Sequence, residues 1–137
     1  MLLILWICVV WGHSMMPSDL SSEESSWVVA LLRPVFSLFG VTNGQVMTHV
    51  IRKGAHFTEY VVLMLIGVRF AREWARSGLG TRLITVLVWA GVPMIDETIQ
   101  SFTPGRAPLV TDVCIDMAGG FLGMLISYAF LRRVKPR

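Results

Sequence analysis

The sequence predicts an all-α polytopic membrane protein with about four transmembrane helices and an interfacial amphipathic segment. Apolar residues make up 54% of the 137 residues and charged residues only 15%, which is more apolar surface than a soluble domain of this size can bury. The mean hydropathy is +0.64. The basic residues lie at the flanks of apolar runs, which excludes a nucleic-acid binder despite the formal net charge of +3. The length fits a single domain, residues 1–137.

Each predicted span is close to the ~20 residues that a helix needs to cross the hydrocarbon core. The first run has no Lys or Arg before it, and Trp11, His13 and Met16 occupy the position of a cleavage site. We therefore expect a retained span rather than a signal peptide. Pro93 predicts a kink in the third span. The four spans cover about residues 2–16, 54–70, 83–100 and 112–131.

A further apolar segment, Trp27–Phe39, separates the first two spans and is interrupted by Arg33 and Pro34. A charged residue and a helix-breaking residue in the middle of so short a run argue against a full crossing. We expect an amphipathic helix lying on the membrane surface, and a re-entrant loop is the alternative.

The two cysteines, Cys8 and Cys114, both lie inside apolar runs. Neither has a partner at metal-ligand spacing, and no disulfide framework is visible. We expect both to be buried small hydrophobic side chains.

The distribution of Lys and Arg predicts the orientation. Eight of the twelve basic residues lie after the second span or in the C-terminal tail, with Glu73 as their one acidic neighbour. The opposite side carries the other four basic residues and eight acidic ones. We therefore expect a multi-pass protein of the plasma membrane with both termini in the cytoplasm. The eight basic residues of the cytoplasmic side are Arg69, Arg72, Arg76, Arg82, Arg132, Arg133, Lys135 and Arg137.

In this topology, spans two, three and four each present polar side chains at the outer face. Ionisable groups inside a span cost about 2–3 kcal/mol or more each, so by default they indicate a functional site. The alternative is a purely structural network of ion pairs that fixes helix registration. Residues 101–111 form a turn-rich connection that can fold back over these side chains. The candidates for acid–base catalysis are His56, Glu59, Asp96, Glu97 and Asp112, and those for substrate binding are Lys53, Gln100, Arg106 and Asp116.

Two other features of these spans bear on partners. A divalent metal held by His56 and the carboxylates is a further hypothesis, although no ligand spacing such as His-Glu-x-x-His supports it. Gly119 and Gly123 form a small-xxx-small step that predicts close helix packing and leaves a homo-oligomer open.

These polar positions together resemble the VanZ-like family, the membrane proteins named for teicoplanin resistance. The resemblance covers nearly the whole chain and is most specific from Arg52 to Gly123. The first block reads Arg52-Lys53-x-x-His56-Phe57-x-x-Tyr60 and resembles the family's second-span motif. The second reads Asp96-Glu97-x-x-Gln100-x-Phe102-x-Pro104-Gly105-Arg106, followed by Asp112, Asp116, Gly119 and Gly123.

The resemblance implies a cell-envelope protein associated with lowered susceptibility to teicoplanin-type lipoglycopeptides, which act at the outer leaflet on lipid-linked cell-wall precursors. The expected partners are therefore membrane lipids and such a precursor, and not nucleic acid. Three functions stay open: a protein that binds the lipid-linked component without chemistry, a membrane-embedded hydrolase or transferase acting on its headgroup, and a small transporter or scramblase subunit.

Overall fold

The computed structural model describes residues 1–75, 77–106 and 109–133, with the backbone alone for residues 18–25 and 131–133. Almost all of these residues are helical, as the composition predicts. The elements are α1 (Leu2–Ser14), α2 (Ser18–Leu38), α3 (Gly44–Trp74), α4 (Gly78–Val86), a π-helical turn (Leu87–Gly91), α5 (Val92–Ser101) and α6 (Val110–Arg133).

Three helices are long and apolar enough to cross a membrane, which confirms the predicted class. They are α3, the continuous helix Gly78–Ser101 built from α4, the π-helical turn and α5, and Val110–Phe130 within α6. Helix α1 has only 13 residues, about 20 Å of helix against a hydrocarbon core of about 30 Å. The predicted total of four crossings therefore stays a prediction.

Helix α3 is longer than its predicted span. Its 31 residues begin after Asn43, whose side chain caps the helix by accepting hydrogen bonds from the N–H groups of Gln45 and Val46. Such a helix is about 46 Å long, which exceeds the roughly 30 Å of a hydrocarbon core. The predicted start of span two at Gly54 lies ten residues inside this helix.

Helix α2 packs against α3 and contains the predicted amphipathic segment. It also extends back through the polar residues that precede Trp27, and it continues through Pro34. Val29 on one face is buried, whereas Trp27 and Leu31 are 67% and 68% exposed on another. An exposed apolar face of this kind suits contact with lipid.

The π-helical turn Leu87–Gly91 lies immediately before Pro93, where the sequence predicts a kink. Proline has no N–H to donate, so the regular hydrogen-bond ladder is interrupted at this position. The wider turn places Trp89 against α6, where its Nε1 donates to the carbonyl of Met117 at 2.9 Å.

Helices α3 and α6 form the closest helix pair, and glycine is the reason. A Cβ atom added at Gly119 would lie 2.3 Å from the carbonyl oxygen of Phe57, and one at Gly123 would lie 2.3 Å from that of Val61. The predicted close packing is thus found, within one chain. Because α3 covers this face, these glycines do not support the homo-oligomer, which stays a prediction.

A small apolar core joins α1 to the spans: Leu3, Val10, Tyr60, Leu63 and Val92 are buried together. The cysteines are not part of it. Cys8 and Cys114 are both exposed, so the prediction that they are buried is wrong. In a membrane protein an apolar run is satisfied by facing lipid as well as by facing the core, and periodicity alone does not separate the two.

Several basic residues of the predicted cytoplasmic side lie outside the part of the chain that the structure describes. Arg76, Lys135 and Arg137 are outside the described residues, and so are the side chains of Arg132 and Arg133. The predicted orientation therefore rests on the sequence.

Candidate functional site

Parts of four helices meet at one end of the bundle: the end of α1, the N-terminal part of α3, the end of α5 and the start of α6. Lys53 of α3 forms an ion pair with Asp112 of α6. Gln100 of α5 donates to the Ser14 hydroxyl of α1 at 3.3 Å. Residues of α1, α3, α5 and α6 are thus in contact with one another at this end of the bundle.

The deepest part of the site is a cluster of His56, Asp96 and Asp116, called here the inner triad. One ligand atom of each residue lies within 4.8 Å of the other two. Asp96 is fully buried and Asp116 is 2% exposed. Two buried carboxylates this close repel each other when both are ionised, so they require a proton, a cation or strong hydrogen-bond donors.

Hydrogen bonds satisfy only part of Asp96. Its Oδ2 accepts from Nε2 of Gln100 at 3.0 Å, and Gln100 also reaches Ser14. Its Oδ1, Nδ1 of His56 and the hydroxyl of Tyr60 are buried without a hydrogen bond of ordinary geometry among the described residues, although the Tyr60 hydroxyl lies near the Asp96 carboxylate. A native protein rarely leaves several such atoms unpaired in one place.

Helix α1 contributes residues that the sequence analysis did not select. Nδ1 of His13 lies 2.6 Å from Oε1 of Glu59, and Trp6 Nε1 donates to the carbonyl of Glu59 at 3.1 Å. Ser14 is fully buried, and its carbonyl accepts from Thr103 at 2.9 Å. The signal for these contacts was the polar interruption Gly12-His13-Ser14 in an otherwise apolar run.

Arg106 binds the end of α1. Its Nε donates to the carbonyl of Met16 and its Nη2 to that of His13, both at 3.0 Å. Carbonyls at a helix C-terminus lack intrahelical donors and carry partial negative charge, so an arginine there stabilises the helix end. Burial, and secondarily the charge of Arg52, lowers the pKa of the Arg106 guanidinium, which remains protonated.

Glu97 also has a structural contact. Its Oε1 accepts from the backbone N–H of Leu109, just before α6 begins. Charged hydrogen bonds of this type hold a chain segment firmly. Glu59 and Glu97, two of the five predicted catalytic residues, thus tie α1 and the start of α6 to the spans.

A cavity of about 200 Å³ opens beside the inner triad. Five of its nine lining residues carry basic side chains, and one, Asp112, is acidic. Six of the nine predicted site residues line this cavity or the smaller space beneath it, whereas Glu59, Asp96 and Glu97 do not. The lining consists of His49, Arg52, Lys53, His56, Gln100, Gly105, Arg106, Leu109 and Asp112, and the smaller space adds Ile115 and Asp116.

His49 is the cavity residue that sequence reasoning missed. It lies seven residues before His56, two helical turns away on the same face of α3. The block from which the α3 candidates were taken begins at Arg52, whereas α3 itself begins at Gly44.

Comparison with known proteins agrees with this architecture. The model of the VanZ/LLP1 family matches residues 1–132, nearly the whole chain. No curated protein and no solved structure matches the chain. The matched range contains every residue of the candidate site, and the chain belongs to the VanZ/LLP1 family.

Proposed function

We propose that this protein binds the phosphate-bearing headgroup of a lipid-linked envelope component at the outer leaflet, in the cavity lined by basic residues. The observation that carries the proposal is the lining itself. Arg52, Lys53 and Arg106 line one cavity, with His49 and His56 beside them. Charge-assisted hydrogen bonds from such groups are the usual means of binding a phosphate.

The ion pair and hydrogen bonds around the cavity support this proposal. Lys53 is held by Asp112, and two nitrogens of Arg106 are held by backbone carbonyls. The third nitrogen of its guanidinium group, Nη1, has no hydrogen-bond partner among the described residues. Donors whose positions are already fixed lose little conformational entropy when an anion binds.

Binding is favoured over catalysis by the contacts of two acidic residues. Glu59 is bound to His13 and Glu97 to the backbone N–H of Leu109, and neither lines the cavity. A general base must reach the proton that it removes. A hydrolase or transferase is therefore the second candidate, and it would depend on the inner triad.

A binding titration tests the proposal. The purified protein in phosphatidylcholine nanodiscs is titrated with a polyprenyl diphosphate. Arg52→Gln is compared with Arg69→Gln, since Arg69 lies at the other end of α3 and pairs with Glu73. We expect Arg52→Gln to weaken binding at least ~10-fold, which corresponds to about 1.4 kcal/mol of binding free energy. Arg69→Gln should bind like wild type. Equal binding by all three proteins would contradict the proposal.

The proposed role in the envelope has its own test. Wild type, Arg52→Gln and Arg69→Gln are expressed at equal membrane levels in a host that is susceptible to teicoplanin. We expect protection from wild type and Arg69→Gln and its loss in Arg52→Gln. Full protection by Arg52→Gln would separate the drug phenotype from the cavity.

A further inference from the structure

The inner triad has the composition of a metal site. His56 offers an imidazole nitrogen, and Asp96 and Asp116 each offer a carboxylate oxygen, with all three atoms within 4.8 Å of one another. Donors at this spacing can contact one ion from different sides. A mixed set of one nitrogen and two oxygens suits divalent transition cations such as Mn²⁺ and Zn²⁺, whereas Mg²⁺ and Ca²⁺ favour oxygen alone.

The surrounding charges point the same way. Among the described residues, the ion pairs are His13–Glu59, Lys53–Asp112 and Arg69–Glu73. None of them includes Asp96 or Asp116. Two almost completely buried carboxylates therefore have no cationic side chain of their own, although their proximity requires a positive partner or a proton.

An unpaired atom marks the site independently. Oδ1 of Asp96 is buried and forms no hydrogen bond of ordinary geometry among the described residues, although the Tyr60 hydroxyl lies near the same carboxylate and Oδ2 accepts from Gln100. Nδ1 of His56 is also buried and unpaired. A cation would satisfy both atoms, because neither needs a donor if it coordinates a metal.

The space at the triad fits one ion. A small cavity of about 10 Å³, lined in part by His56 and Asp116, is about the size that holds one water molecule. The larger basic cavity shares His56, Lys53 and Asp112 with it. Ligands from one His and two Asp leave coordination positions open, and the larger cavity lies beside the same His56.

We propose that His56, Asp96 and Asp116 bind one divalent transition cation of the Mn²⁺ or Zn²⁺ type. Gln100 positions Asp96 through its hydrogen bond, as partners of metal ligands commonly do. In the presence of a headgroup, the open positions lie toward its phosphate. That consequence rests on the proposed function, whereas the cation site does not.

The test uses the purified full chain in detergent, without added lipid, so that its result is separate from headgroup binding. The protein is stripped with chelator and titrated with Mn²⁺, Zn²⁺, Mg²⁺ and Ca²⁺. Bound metal is measured by elemental analysis and the thermal midpoint is recorded. We expect about one Mn²⁺ or Zn²⁺ per chain and a rise in the midpoint, because a ligand bound by the folded state stabilises it.

Two matched pairs localise the ion. Asp96→Asn is compared with Glu97→Gln, the neighbouring carboxylate outside the triad, and His56→Gln with His13→Gln, since His13 lines neither cavity. We expect at least ~10-fold weaker metal binding in the first member of each pair and wild-type binding in the second. Even mutation of a residue that only hydrogen-bonds to a metal ligand lowers metal affinity 10–100-fold. Asp116→Asn provides a third site variant if either of the others fails to fold.

Two results would overturn the proposal. The first is a wild-type protein that neither retains these cations nor gains stability from them, in which case the two carboxylates share a proton. The second is equal binding by the triad variants and their matched controls, which would place the ion elsewhere. Since the wild-type titration is itself decisive, the test does not depend on whether every variant folds.

Discussion

The two ends of α3 carry similar charges but use them differently. The N-terminal end of α3 carries the candidate site and is called here the cavity end. There, Lys53 pairs with Asp112 between α3 and α6, and His13 with Glu59 between α1 and α3. At the other end, Arg69 bonds Glu73 one turn away on the same helix, and these side chains are 79% and 65% exposed. Lys53 and Asp112 are only 23% and 29% exposed.

The cavities at the two ends differ in the same way. The space between α3 and α6 near Arg69 has a volume of about 620 Å³, three times that of the cavity at the site, and Leu65, Ile126 and Phe130 form much of its wall. Size alone therefore does not mark the site. What distinguishes the cavity end is that its polar groups are buried and connected across four helices. The arginines of the other end suit an interface with anionic lipid.

The largest effect is expected where Gly119 of α6 packs against α3, between the two ends of α3. Gly119→Ala places a Cβ atom 2.3 Å from the carbonyl oxygen of Phe57, so α3 and α6 must separate just below the site. We expect a loss of about 3 kcal/mol in unfolding free energy, at the upper end for overpacking, measured by denaturant unfolding in mixed micelles. Gly54→Ala is the control, because nothing lies within 4 Å of its added Cβ. Equal stability of the two variants would contradict the close contact between α3 and α6 at Gly119.

The second effect concerns the ion pair of the cavity end. Lys53→Ala leaves the half-buried carboxylate of Asp112 without its partner, and we expect a loss of about 2 kcal/mol in the same unfolding measurement. Replacing Asp112 by Asn in the Lys53→Ala background removes the stranded charge and should recover part of the loss. If the double variant is less stable than Lys53→Ala, the two residues do not act as a pair.

A smaller effect is expected at α1. His13→Ala removes the partner of Glu59 while leaving the Trp6 hydrogen bond in place. A double-mutant cycle with Glu59→Gln should give a coupling of about 1 kcal/mol. A coupling of zero would show that the contact between His13 and Glu59 does not help to hold α1, which its other contacts would then do.

The smallest effect is expected at Arg69, near the C-terminal end of α3. Arg69→Ala breaks an exposed pair on one helix, which contributes less than ~0.5 kcal/mol. Its unfolding curve should therefore overlay that of wild type. A loss as large as that of Lys53→Ala would remove the contrast between the two ends.

The sequence predicted the class and the gathering of charges because both follow from local patterns. Apolar runs of sufficient length give the spans, and alternating crossing directions bring residues 53, 96 and 112 to one face. The Gly119 and Gly123 spacing likewise predicts a close helix contact. These arguments need no knowledge of tertiary structure.

The remaining features depend on tertiary contacts that no local pattern encodes. The roles of His13 and Ser14 become visible only once α1 is packed beside Glu59 and Gln100. Arg106 reads from sequence as a free cation, yet two of its nitrogens bind the carbonyls of His13 and Met16. Exposure of Cys8 and Cys114 was missed because lipid and protein core favour the same side chains.

The claim on which the proposed function depends most is that the cavity end faces away from the cytoplasm. Ser101→Cys lies at that end and Ser77→Cys at the other, and both serines are exposed. Each is introduced after Cys8 and Cys114 are changed to Ser, and intact cells are treated with a membrane-impermeant maleimide. We predict labelling of residue 101 in intact cells and of residue 77 only after permeabilisation. The reverse pattern would place the cavity on the cytoplasmic side and contradict a role at the outer leaflet.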